Sequence, residues 1–123
     1  MERTPIGSEG SRLPHERLDV YQVAREILAF VAERRNRFRG LPGELAGHLE
    51  KSSVSTLLNI AEAAGRTGIR DRRARFAIAR GEACEVAAAL EAAALLGAID
   101  DEEWKAAREM ILRVTRMLDR LTR

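Results

Sequence analysis

Residues 52–66 read SSVSTLLNIAEAAGR, a segment in which polar and apolar residues recur with the period of an α-helix. Four polar residues fall on one helical face: Ser55, Asn59, Glu62 and Arg66. Apolar or small residues cover most of the remaining surface: Val54, Thr56, Leu57, Leu58, Ile60, Ala61 and Ala63. The segment therefore predicts a helix buried on more than one side, either at the centre of a helical bundle or at an interface between subunits.

The composition predicts one all-α domain. The chain has 123 residues, a length at which a single domain forms its core without metals or disulfides. Aromatic residues make up only 4% of the chain and there are three prolines, while alanine, leucine, arginine and glutamate are abundant. No run approaches the roughly 18 to 20 apolar residues of a membrane span, and the N-terminus lacks a signal peptide's apolar run. We expect a cytoplasmic protein with no cofactor and no membrane partner.

Periodicity and helix-breaking residues predict four long helices. The first runs from about residue 18 to Phe38, before the break at residues 40–43, and the second from about 44 to 64. The third begins near 69–71 and closes at residues 97–100, and the fourth follows Asp100, a predicted N-cap paired with Glu103. Residues 1–15 are polar and rich in Pro and Gly, so we expect a flexible leader before a domain of residues 16–123. Short connections favour an up-down-up-down four-helix bundle.

The single cysteine, Cys84, lies inside the third predicted helix between Glu82 and Glu85. Nearby carboxylates and burial both disfavour a thiolate. We expect Cys84 to be an unreactive packing residue.

The arginines form two clusters, although the net charge is only +2. The first cluster contains Arg34, Arg35, Arg37 and Arg39. The second surrounds the start of the third helix and supplies the candidate phosphate-binding residues: Arg66, Arg70, Arg72, Arg73 and Arg75. Positive charge is unfavourable at a helix N-terminus, so this cluster predicts a compensating partner, either acidic residues of another subunit or phosphates.

No residue pattern predicts catalysis or a metal site. The two histidines, His15 and His48, do not form the Glu-x-x-His pairs of a di-iron bundle. A phosphate loop, a nucleophile elbow and a cysteine–histidine cluster are also missing from the sequence. We therefore expect no catalytic residues and no metal ligands.

A polar cluster is predicted where the second and third helices pack side by side. Its members are Ser55, Asn59, Glu62, Arg80, Gly81 and Glu85. In that packing Asn59 or Glu62 meets Arg80 or Glu85 across the interface, and Gly81 lets another helix approach closely. Such ion networks often fix register and partner choice, so a subunit-register role is favoured over a ligand site.

Three segments resemble the large-subunit rRNA intervening-sequence family of four-helix bundle proteins. They are LDVYQVA at residues 18–24, NIAE at 59–62 and RFAIARGEACE at 75–85. The resemblance covers about residues 18–121. It implies a cytoplasmic four-helix bundle that forms a ring-like homo-oligomer, characteristically a pentamer, and an association with nucleic acid suggested by the family's genetic context.

The sequence leaves two functions open. One is sequence-nonspecific binding of RNA or DNA backbone, favoured by arginine forks that bind phosphate bidentately. The other is a structural or protein-interaction scaffold that docks a partner protein, favoured by the mixed surface and the near-neutral net charge.

Overall fold

The computed structural model describes residues 11–123, and every regular element among them is a helix. The elements are a 3₁₀ turn at Pro14–Arg17, α1 Asp19–Glu33, α2 Arg35–Phe38, α3 Leu45–Gly65, α4 Ile69–Leu95 and α5 Asp101–Leu121. The four long helices are α1, α3, α4 and α5. This confirms the all-α prediction.

The four long helices form a closed bundle in which each packs against two others. Both α3 and α5 pack against α1 and against α4. Arg34 at the end of α1 bonds Glu103 at the start of α5, and His48 early in α3 lies beside Glu85 late in α4. Neighbouring helices are therefore antiparallel, which gives the predicted up-down-up-down order.

The core follows the helical apolar stripes. Its fully buried large side chains include Phe38, Leu49, Ile60, Phe76, Leu90 and Leu118. On α4 the stripe also contains Ala79, Ala83 and Ala93, each at most 1% exposed. Because alanine has only a methyl group, α3 and α5 pack closely against α4 and fix the positions of the charged residues along its outer faces.

The first predicted helix is interrupted, so the prediction of one helix from residue 18 to Phe38 was wrong. The α1 helix ends at Glu33, and Arg34 has φ −108° and ψ 9° before the short α2 helix begins. Its guanidinium lies 3.7 Å from the centroid of the Phe30 ring, and Nη1 donates to the Phe30 carbonyl at 3.1 Å. The break thus lets Arg34 fold back over the preceding turn.

The other helix boundaries follow the predicted stop and start residues. The α3 helix ends at Gly65, and Gly97 adopts φ +84° just after α4, a conformation that favours glycine. At the start of α5, Asp100 Oδ1 accepts from the Glu103 N–H at 2.8 Å and Glu103 Oε1 accepts from the Asp100 N–H at 3.0 Å. The predicted capping box is therefore present.

The predicted leader lies largely outside the described residues, which begin at residue 11. Within the described part, the 3₁₀ turn at Pro14–Arg17 packs against α1 and α3. The His15 ring centroid lies 4.5 Å from that of Tyr21. His15 therefore contacts α1 through Tyr21.

Candidate nucleic-acid interface

The topology separates the two arginine clusters to opposite ends of the bundle. The first cluster lies where α4 passes into α5, beside the acidic residues 100–103. There Arg34 Nε donates to Glu103 at 2.6 Å, Arg37 Nη1 donates to Glu103 at 2.9 Å, and Arg35 Nε donates to Glu50 at 2.5 Å. We call this the acidic end, and most of its arginines are paired with carboxylates.

Glu103 is the centre of the acidic end. Its carboxylate accepts from Arg37, from the Asp100 N–H and from Arg34, and these bonds lower its pKa to about 2. The side chain is only 16% exposed. The negative charge of Glu103 is therefore neutralised by groups of the same chain. The first arginine cluster has little positive charge left for a ligand.

The second cluster lies at the opposite end, where α3 passes into α4, and we call this the basic end. Two carboxylates there partner two arginines. Arg66 Nη2 lies 2.5 Å from Glu62 and its Nη1 lies 3.2 Å from Asp71. Arg75 approaches the same carboxylates at 3.8 and 3.9 Å. The hydrogen bond from Arg66 and then the charge of Arg75 lower the pKa of Glu62.

Three arginines at the basic end remain uncompensated. Within residues 11–123, no carboxylate lies within ion-pair distance of Arg70, Arg72 or Arg73. Arg70 and Arg73 are exposed, and Arg72 Nε is buried without a hydrogen-bond partner among the described residues. They occupy the first two turns of α4, where the helix dipole adds further positive potential. The arrangement attracts anions.

The structure separates the predicted polar cluster into different contacts. Asn59 Nδ2 donates to the Ser55 carbonyl at 2.9 Å within α3, and Glu62 bonds Arg66. Arg80 points the other way and its Nε donates to Asp119 of α5 at 2.5 Å. The expectation that Asn59 or Glu62 meets Arg80 or Glu85 was therefore wrong, because Arg80 lies on the α5 side of α4.

The two remaining cluster residues also have surroundings that differ from those expected. Glu85 Oε1 lies 3.6 Å from His48 Nδ1, which joins α4 to α3 at the surface. A Cβ added at Gly81 would meet no atom within 4 Å. No described helix of the same chain therefore approaches Gly81 closely, contrary to what its position suggested.

One outer face of α3 is apolar and uncovered within the chain. Val54 is 39% exposed and Leu58 is 59% exposed. Together with Gly47, Glu50, Lys51, Ser55, Asn59 and Glu62 they form a shallow, open surface on α3 alone, which we call the α3 groove. The chain's own packing covers α3 on the sides that face α1 and α4 and leaves this face exposed.

Cys84 is exposed, so its expected role as a packing residue was wrong. The core positions of this part of α4 are Ala79, Ala83 and Val86, and Cys84 lies beside that stripe. Its Sγ is 3.9 Å from Arg80 Nη1. The spacing of the neighbouring apolar residues was a signal that already placed Cys84 outside the core.

Sequence reasoning missed Asp119 and the partnership of Arg34 with Glu103. Each ion pair joins residues far apart in the chain, 39 positions for Arg80 and Asp119 and 69 for Arg34 and Glu103. No local pattern marks such partners. They become visible only when the antiparallel register is known.

Among residues 11–123, no three His, Cys, Asp or Glu side chains are grouped to hold a metal ion. No helix in that range has the length and apolar character needed to cross a membrane.

The fold and the charge distribution define an all-α four-helix bundle with one basic end, and comparison with known proteins gives its family. Residues 16–120 match the family model described as 23S rRNA-intervening sequence protein, so the chain belongs to that family. A solved structure from Bacteroides thetaiotaomicron, described as a protein with unknown function from the S23 ribosomal protein family, shares the fold with a TM-score of 0.77. The two are 18% identical over 85% of this chain and 98% of that one. The comparison with curated proteins gave no match.

Proposed function

We propose that this protein is a non-enzymatic homo-oligomer that binds the sugar–phosphate backbone of nucleic acid, without sequence preference, through the basic end of its bundle. The observation that carries the proposal is the uncompensated charge of Arg70, Arg72 and Arg73. Guanidinium groups bind phosphate oxygens bidentately, and a phosphate at this position relieves the unfavourable interaction of the arginines with the α4 dipole.

The contrast with the acidic end supports this assignment. Arginine is abundant at both ends, but Arg34, Arg35 and Arg37 bond carboxylates of the same chain. The difference favours an external anion at the basic end.

The names of the family and of the solved relative refer to 23S rRNA and to a ribosomal protein family. Ribosomal RNA is therefore the first probe to use. We also propose a cytoplasmic location, because ribosomal RNA is abundant there. A homo-oligomer would present several basic ends together, which raises the apparent affinity through multivalency without any new contact.

The test compares two double variants with the same change in net charge. Arg70→Gln with Arg73→Gln removes exposed arginines of the basic end, and Arg35→Gln with Arg39→Gln removes exposed arginines of the acidic end. Binding of a labelled rRNA fragment is measured across a salt series. We expect the first variant to lower the slope of log K against log salt by roughly 1.4, at about 0.7 per single-strand phosphate contact, and the second to leave it unchanged. Equal slopes for both variants and the unmodified protein would contradict the proposal.

A structural scaffold is the second candidate, and the apolar face of α3 favours it. Exposed Val54 and Leu58 in an open groove are typical of surfaces that bind another protein. We propose that a second copy of this chain occupies the groove, with Ser55 and Asn59 at its polar edge. The family resemblance implies five subunits. Assembly and nucleic-acid binding use different surfaces and are compatible with one another.

A further inference from the structure

The last three turns of α5 carry an arginine stripe that belongs to neither predicted cluster. Its members are Arg113, Arg116 and Arg120, which recur at three- and four-residue spacing and are all exposed. Within residues 11–123, none of the three forms an ion pair or a side-chain hydrogen bond. We call these residues the α5 stripe.

The same face of α5 changes sign along its length. Glu102 and Glu109 lie on it nearer the acidic end, and both are exposed. Beyond Glu109 the face is arginine only, and the one carboxylate of the last turns, Asp119, lies off this face and bonds Arg80. The side-chain charge on this face therefore changes from negative to positive toward the basic end.

The register of α4 and α5 places the Arg120 end of the stripe nearest the uncompensated arginines of α4. The Arg80–Asp119 contact sets Arg120 level with the middle of α4. Arg73 lies seven residues before Arg80, which is roughly 10 Å along the axis at 1.5 Å per residue. Packed helices lie about 8 to 10 Å apart, so Arg120 and Arg73 are separated by roughly 14 Å on neighbouring helices, a gap that one strand can bridge.

The length of the stripe suits a nucleic-acid strand. From Arg113 to Arg120 the helix rises roughly 10 Å, and a stacked strand carries one phosphate per about 3.4 Å along its axis. Since this rise covers about three phosphate spacings, a strand along the stripe carries enough phosphates to contact all three guanidinium groups. Cations near a helix C-terminus are favourable in themselves, so the stripe does not destabilise α5.

We infer that the nucleic-acid footprint extends from the first turns of α4 across the bundle to the α5 stripe, so that one strand contacts both. This inference rests on the proposed function and adds a second set of phosphate-binding residues: Arg113, Arg116 and Arg120. The chemical class of ligand is a flexible polyanion with closely spaced phosphates, which is a single-stranded segment of nucleic acid.

The experiment uses the full chain with two triple variants. Arg113→Gln, Arg116→Gln and Arg120→Gln removes the α5 stripe. The control Arg39→Gln, Lys105→Gln and Arg108→Gln removes three exposed cations at or near the acidic end. Glutamine has a helix propensity close to that of arginine, and circular dichroism verifies that both variants are folded. Binding of single-stranded rRNA is measured across a salt series, with phosphatidylserine vesicles as a second probe.

The stripe variant is expected to lower the slope of log K against log salt by roughly 2, at about 0.7 for each of three contacts, while the control leaves the slope unchanged. If Arg70 and Arg73 affect the slope but the stripe variant does not, the inference is overturned and the proposed function stands. If the unmodified protein binds no RNA even at low salt, both are overturned. Stripe-dependent binding to vesicles without RNA binding would assign the surface to membranes and also overturn the inference.

Discussion

Arg34 Nε lies 2.6 Å from Glu103 Oε2, across the end of the bundle where α1 finishes and α5 begins. This contact shows why abundant arginine alone does not indicate a ligand. The guanidinium stacks on Phe30 and bonds a carboxylate that also caps α5. Arginine at this end supports the fold, and the arginines available to an external anion lie at the other end.

The first prediction concerns the pH dependence of stability at Glu103. Its pKa of about 2 lies below the unfolded value of about 4.3, so ionised Glu103 stabilises the folded chain above roughly pH 4.3. That contribution is lost as the pH falls from there to about 2. Glu103→Gln should lower the free energy of unfolding near neutral pH by about 1 to 2 kcal/mol after solvent screening.

Urea titrations of the variant near neutral pH and near pH 2 measure this effect. Glutamine at this position retains the capping box, so the change reports the charge. Glu102→Gln, on the same turn and exposed, is the matched control and should change little at either pH. A deficit for Glu103→Gln that is equal at both pH values would show that ionisation is not the cause.

The second prediction concerns assembly through the α3 groove. Leu58→Glu places a charge on a face that we propose to be covered by a second copy, so the mass in solution should fall toward the 13.7 kDa of one chain. Leu58 is 59% exposed in the single chain, and the substitution should therefore leave its helical content unchanged.

Leu96→Glu is the control, because Leu96 is 54% exposed and lies outside the groove. Asn59→Leu should also alter the assembly, since it removes a polar group from the groove edge. Light scattering that gives the same mass for Leu58→Glu, Asn59→Leu and the unmodified protein would remove the groove as the subunit interface.

The helices themselves could be predicted because their signals are local. The period of residues 52–66, the capping box at Asp100 and the glycine at 97 each lie within a few residues of the feature they determine. The break at Arg34 has no such signal. The residue at the break contacts Phe30 one turn earlier and Glu103 on another helix, and neither glycine nor proline is present there.

The contacts predicted within the polar cluster were wrong, because its members were grouped by helix and not by the face of the helix on which they lie. Arg80 and Glu85 are five residues apart on α4, which places them on different sides, one toward α5 and the other toward α3. The arginines of the basic end were grouped by their closeness in the sequence, and their role in binding phosphate stays a prediction. The pairing of Arg66 with Glu62 and Asp71, which separates it from Arg70 and Arg73, required the geometry of the turn.

The third prediction concerns Cys84. Since its side chain is exposed, Cys84→Ser should change the free energy of unfolding by less than about 0.5 kcal/mol. Leu90→Ala, on the same helix but fully buried, should cost about 2 to 5 kcal/mol. Urea unfolding of both variants provides the comparison, and a loss of more than about 1 kcal/mol for Cys84→Ser would contradict the exposed position.

The fourth prediction compares two glycines. Gly97→Ala should destabilise the chain by about 1 kcal/mol or more, because φ +84° is unfavourable for alanine. Gly81→Ala should stabilise it by roughly 0.5 to 1 kcal/mol, because Gly81 lies within α4 and the added methyl group meets no atom. Thermal unfolding measures both. A destabilised Gly81→Ala protein would show that another subunit approaches this glycine.

The most direct test of the central claim is the affinity of the unmodified protein for nucleic acid across a salt series. The two probes are a labelled single-stranded rRNA fragment and duplex DNA, and light scattering gives the mass of the same sample. We predict an oligomer whose affinity falls with salt at a log–log slope of roughly 0.7 per single-strand phosphate and 0.9 per duplex phosphate contacted. An intact oligomer that binds neither nucleic acid at low salt would contradict the claim and favour the scaffold function.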